Sequence, residues 1–117
     1  MKVINPENIE IREVKDNPLF RGKVEAQFLV GKDIAENLGM GVITFAPGAR
    51  NVFHTHTSEQ ILYVLEGEGI VATEDEEVVL GPGMLAYIPA GEKHWHGATK
   101  DSSFKHISIS PPHKTEF

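Results

Sequence analysis

The chain contains no cysteine. That absence excludes disulfides, thiolate zinc sites and a cysteine nucleophile, so any metal must be held by imidazole or oxygen ligands. It has no basic run either: eleven Lys and Arg stand against seventeen Asp and Glu, a formal charge of −6. A nucleic acid or an anionic membrane surface repels such a chain, so neither is expected as a partner. No apolar stretch approaches the thickness of a bilayer, and the first residues, MKVINPENIEIREV, lack the apolar run of a secretory leader. The expectation from these absences is a cytoplasmic protein. Helical periodicity is scarce as well; only Lys32–Leu38 reads as a short helical turn.

What is present points to strands. The 117 residues, 40% hydrophobic and 24% charged, are near the usual size of one globular domain, and one domain over 1–117 is expected. Turns recur at Pro47-Gly48, Gly67-Glu68-Gly69, Gly81-Pro82-Gly83 and Pro89-Ala90-Gly91. Between and around them the pattern predicts strands near Ile9–Val14, Lys23–Val30, Gly41–Phe45, Ile61–Leu65, Ile70–Thr73, Val78–Leu80, Leu85–Ile88, Trp95–Ala98 and Lys105–Ser110. Short strands at regular spacing imply an all-β closed barrel or sandwich. The tail from Pro111 to Phe117 reads as irregular. The run Ile61-Leu62-Tyr63-Val64-Leu65 does not alternate, so both of its faces call for cover. The chain's own N-terminal strands would serve, and so would a second subunit; a homodimer is expected on the second reading.

Six histidines occur, four of them in two His-x-His pairs: His54 with His56, and His94 with His96. Alternate residues of a strand share a face, so each pair projects together, and two such pairs can meet inside a barrel. Imidazole is the commonest protein ligand for first-row metals. Spacing alone therefore favours a metal site over scattered surface histidines.

Two longer patterns surround these pairs. The first runs from Gly48 through His54-Thr55-His56 and Gln60 to Gly67; the second runs from Gly83 through Pro89-Ala90-Gly91 to His94 and Ala98. In both spacing and order this resembles the cupin family, over close to half of the chain. The resemblance implies a single jelly-roll barrel, the double-stranded β-helix, holding one divalent metal ion through His54, His56, Gln60 and His94. The family pattern has glutamate where this chain has Gln60, and Glu59 lies one residue early, which in a strand is the opposite face. A neutral amide leaves the full charge on the ion, so binding should be weaker and the Lewis acidity greater. The pattern's final asparagine is Ala98 here.

The segments Gln60–Gly69 and His94–Ala98 look like the small single-barrel cupins related to carboxymuconolactone decarboxylase-associated proteins. That group includes cupin-type hydroxynitrile lyases, with a three-His, one-Gln manganese site. The resemblance implies manganese or iron, with zinc, nickel or copper as alternatives, and it matches His96 and His106 to catalytic positions. By the same resemblance Met40, Val42 and Thr44 face inward. Met40 and Val42 then read as substrate walls or as core, and Phe53 as a pocket cap or as packing under its turn. Leu62 and Val64 read as core, Trp95 as scaffold turned from the metal, and His113 as unrelated to the site.

The function expected is a metal-dependent enzyme acting on a small hydroxylated or carbonyl substrate, with hydroxynitrile lyase-like C–C cleavage leading. A metal-dependent dioxygenase and a non-catalytic module binding a metal or small ligand are the alternatives.

Overall fold

The computed structural model describes residues Met1–Phe117. A single 3-10 turn, Pro6–Asn8, begins at Asn5, whose side chain accepts from the Glu7 amide. Thirteen strands follow: β1 (Arg12–Glu13), β2 (Phe20–Arg21), β3 (Val24–Val30), β4 (Gly39–Phe45), β5 (Arg50–Asn51), β6 (Thr55–His56), β7 (Gln60–Gly67), β8 (Gly69–Thr73), β9 (Glu77–Leu80), β10 (Leu85–Ile88), β11 (His94–Ala98), β12 (Phe104–Ser110) and β13 (Thr115–Glu116). No helix is long and apolar enough to cross a membrane.

One antiparallel sheet runs β1-β3-β4-β12-β7-β10, the other β2-β5-β11-β8-β9, and β13 pairs with β6. The two large sheets form a jelly-roll barrel. Val24, Phe45, Ala49, Val64, Leu80, Ala98 and Phe104 form its apolar core. The ring of Phe45 separates this core from a chamber lined by imidazoles; its centroid lies 5.7 Å from His96, 5.8 Å from His106 and 6.2 Å from Phe104. Gly67 turns the chain from β7 into β8 at φ +78°, where a side chain would be strained and would strike the Ser103 carbonyl. Gly97 pairs with Arg50, and a Cβ there would collide with the Arg50 backbone. The missing side chain is what lets β5 lie against β11.

Register corrects several expectations. Ile9–Val14 shortens to β1. Lys32–Leu38 makes one turn, with the Ile34 and Ala35 amides bonded to the Gly31 carbonyl, and goes no further. The tail is not irregular throughout, since Thr115 and Glu116 pair with His56 and Thr55. Met40 and Val42 do not face inward. They pair with Ile109 and Ile107, whereas Ile43 pairs with buried His106 and takes the lumen side. Directly paired residues share a face, so the phase of β4 is set by its neighbour β12. In β7, Leu62 and Val64 are buried while Tyr63 and Leu65 remain exposed, so the chain covers one face of that run only.

Candidate metal centre

His54 stands just before β6 and His56 within it, and an isolated bridge joins His54 to His94 at the start of β11. Both main-chain bonds of that bridge form, at 2.9 and 3.0 Å. Strand geometry thus brings two distant parts of the chain face to face. The ligand atoms offered by His54, His56 and His94 all lie within 4.8 Å of one another, and all three residues are buried. Three histidines are therefore positioned to bind a metal ion.

Hydrogen bonds decide which nitrogen each ring offers. His54 Nδ1 lies 2.6 Å from the Val52 carbonyl and His94 Nδ1 lies 2.8 Å from that of Glu92. A carbonyl only accepts, so both rings carry their proton on Nδ1 and keep a lone pair on Nε2. Those two Nε2 atoms are buried with no protein partner. His56 Nδ1 meets the Thr115 hydroxyl at 3.0 Å. Two unpartnered buried lone pairs, on His54 and His94, with the His56 ring beside them, are a cost without an ion and a ready donor set with one, so the residues fit a divalent metal.

Protonation is disfavoured throughout. Burial pushes His54 down to about 4. Burial, then the neighbouring His54, His113 and His94, take His56 to about 3. Burial also lowers His94, and it brings His106 to about 4. His96 falls well below the usual imidazole range, chiefly through burial and then through the adjacent His106. Neutral imidazole is the form a metal requires.

The open space beside the His54 and His56 rings is a cavity of about 170 Å³. His54, His56, Gln60, His96 and His106 all reach it, together with Ile43, Asn51 and Ser108. Gln60 donates through Nε2 to the Ser108 hydroxyl at 3.0 Å, which leaves its carbonyl Oε1 buried and without a partner. Glu59 is turned the other way, exposed, and accepts from the Tyr87 hydroxyl. The rings of His96 and His106 lie 4.9 Å apart, edge to face. Trp95, between His94 and His96, is buried elsewhere, with the Arg50 guanidinium 3.6 Å above its ring.

Other expectations need correction here. Phe53 does not line the cavity; it is half-buried, with the Lys93 ammonium 5.6 Å from its ring. Leu19 and Phe20, from β2 and the residue before it, form the apolar wall instead. Met40 borders a neighbouring surface cleft, and Val42 borders neither. His113 belongs to the chamber after all: its ring is 4.5 Å from that of His56, and it lines the cavity along with Thr115. Asn51, Ser108 and Thr115 carried no sequence signal.

A jelly-roll barrel with three convergent histidines positioned to bind a metal ion is the arrangement these residues form. The cupin-domain family matches residues 41–110, and the chain belongs to that family. It is 41% identical over 68 residues to an (R)-mandelonitrile lyase of Granulicella tundricola, a match over 57% of this chain and 52% of the lyase. An acireductone dioxygenase of Exiguobacterium sibiricum is 27% identical over 102 residues, 83% of this chain and 54% of the dioxygenase. The chain thus matches about half the length of either enzyme. A cupin-like protein of Thermotoga maritima superposes with a TM-score of 0.77 at 33% identity, covering 82% of this chain and 77% of that one.

Proposed function

We propose that the chain is a metal-dependent enzyme that acts on a small hydroxylated or carbonyl compound, with cleavage of a cyanohydrin as the reaction. One observation carries the reading: two imidazoles not needed as ligands, His96 and His106, share a cavity with His54 and His56 of the convergent trio and keep unpartnered buried nitrogens. A site that merely stored an ion would have no use for two further desolvated imidazoles. The likeness to a mandelonitrile lyase supports the choice of substrate class.

In this reading His54, His56, His94 and the Gln60 carbonyl hold one divalent ion, manganese or iron. The ion supplies Lewis-acid polarisation of a substrate oxygen. Leu19, Phe20 and Ile43 provide the apolar wall for the substrate's hydrocarbon part, and they exclude water from it. His96 and His106 hydrogen-bond the reacting oxygen and move its proton. The protein works as a homodimer through the uncovered face of β7 and β10.

The alternative is oxidative cleavage, favoured by the likeness to an acireductone dioxygenase over most of this chain. One experiment separates the two. Protein purified without added metal is assayed for metal content, then supplied with mandelonitrile under nitrogen. Benzaldehyde and cyanide released without oxygen support the lyase. Bound iron, with turnover of an enolic substrate that requires oxygen, supports the dioxygenase instead. A protein that takes up no metal contradicts both.

A further inference from the structure

The Asn51 side chain makes two hydrogen bonds to one residue. Its Oδ1 accepts from the main-chain N–H of His96 at 2.7 Å, and its Nδ2 lies 3.0 Å from His96 Nε2. The first bond settles the orientation of the amide, because a main-chain N–H can only donate. The –NH2 group therefore faces the ring, and an amide –NH2 can only donate as well. His96 Nε2 must accept. It carries no proton, and the ring is neutral with its hydrogen on Nδ1. Turning the ring over would place a carbon-bound hydrogen against the amide, so the ring orientation is set by the same contact.

The other nitrogens complete the pattern. His96 Nδ1, now a donor, is buried and has no protein acceptor. A buried N–H left unpaired is costly, so whatever occupies the cavity must present an acceptor to it. His106, fully buried beside it, has no partner at Nδ1 or at Nε2. In either of its neutral forms one of those atoms keeps a lone pair.

We infer that Asn51 fixes His96 in the Nδ1–H form, so that His96 donates a hydrogen bond to the substrate oxygen while His106 accepts the substrate's proton. This rests on the cyanohydrin reading of the site. The hydroxyl proton passes to the His106 lone pair and the O–H electron pair becomes the second bond of the carbonyl. The C–C pair leaves on cyanide, and the proton on His106 returns to it as hydrogen cyanide. Asn51 is a positioning residue, touching His96 and acting through it. Gly97 makes that possible, since only a residue without Cβ admits β5 so close to β11.

The test is the nitrogen spectrum of the histidines. The full chain, labelled with 15N-histidine and loaded with diamagnetic Zn2+, is recorded by long-range 1H–15N correlation at pH 8. His96 is expected to show a protonated Nδ1 and a bare Nε2. A protonated Nε2 in the wild-type protein overturns the inference without recourse to any variant. In Asn51→Asp the second carboxylate oxygen accepts where the amide donated, so the proton should move to Nε2. An unchanged spectrum there overturns the role given to Asn51. With the metal supporting most activity bound, Asn51→Asp should lower kcat on mandelonitrile by ~100-fold with little change in KM. The expected wild-type spectrum in a protein that never turns over a cyanohydrin removes the lyase reading and leaves His96 as the donor.

Discussion

An imidazole offers a metal whichever nitrogen its other hydrogen bond leaves free. His54 and His94 both lean Nδ1–H on a carbonyl two residues earlier, Val52 and Glu92, and so present Nε2. His96 meets an amide donor instead and presents the reverse. Ring chemistry alone would not separate these residues; their neighbours do. Replacing His54, His56 or His94 singly by Ala should abolish stoichiometric metal uptake in elemental analysis while the far-UV spectrum stays that of a β protein. Uptake unchanged in all three variants would remove the metal centre. At Gln60, the change Gln60→Glu adds a negative charge beside the ion. Metal should bind more tightly in competition with a chelator, and Lewis-acid turnover should drop. Glu59→Gln is the control, since Glu59 is turned toward Tyr87. Equal effects at both positions would deny Gln60 a place at the ion.

The same imidazoles predict how the metal-free protein responds to acid. His106 moves from the usual 6.5 to about 4 on burial, and His54 does likewise. Between those values the unfolded chain binds protons that the folded chain refuses, so stability falls as pH falls. For fully buried His106 the loss is on the order of 3 kcal/mol once pH reaches about 4. The urea midpoint of the metal-free protein should therefore drop between pH 7 and pH 5. His106→Gln, which has no proton to take up in that range, should show a shallower drop. A midpoint independent of pH over this window would mean that these rings are not desolvated as described.

At the scale of elements, the chamber depends on strands too short to be stable alone. β6 and β13 contribute two residues each, and their pairing brings Thr115 to His56 Nδ1 and His113 against the His56 ring. The strap is further held by the Lys114 amide on the Thr57 hydroxyl and by Ser58 on the Pro111 carbonyl. Partners of this kind typically contribute 10- to 100-fold in metal affinity. Thr115→Val should weaken metal binding by roughly that factor, and deletion of residues 112–117 by at least as much, in competition titrations with a chromogenic chelator. Wild-type affinity in the deletion variant would make the strap a bystander.

Across the whole molecule, one group of exposed apolar side chains is set together by strand pairing. Tyr63 and Leu65 of β7 and Leu85 and Tyr87 of β10 are 37–55% exposed, and the register sets Leu85 opposite Tyr63 and Tyr87 opposite Ile61 on the outer face. Val78 and Val79 of β9 are exposed as well, and Val78 lines a mainly apolar cleft of about 230 Å³ between β9 and β10. An apolar face of this kind on one side of an acidic chain suits a second copy of the same face. Light scattering should report a dimer in the micromolar range. Leu85→Lys with Tyr87→Lys should convert it to a monomer with its metal content intact. A wild-type monomer at those concentrations would leave the exposed face without that explanation.

Strand positions and metal-ligand candidates were legible in the sequence because both are local patterns: alternation, Pro/Gly turns and a two-residue spacing that puts side chains on one face. Nine strands anticipated from such patterns correspond to β1, β3, β4 and β7 through β12. The two-residue strands β2, β5, β6 and β13 were not legible, because so short a stretch has no period to read; pairing with a distant partner creates them. The same limit misphased β4. Met40-Gly41-Val42-Ile43-Thr44 has apolar side chains on both faces, and only its register with β12 turns Ile43 inward. Six histidines were visible at once, yet their protonated nitrogens depend on Val52, Glu92, Asn51 and Thr115, of which Asn51 and Thr115 lie far from their partners in the chain. The sequence by itself determined the barrel and the residue types able to hold a metal. Tertiary structure decided which nitrogen His96 offers and what supports the His56 ring, because those hydrogen bonds join residues that only folding brings within about 3 Å.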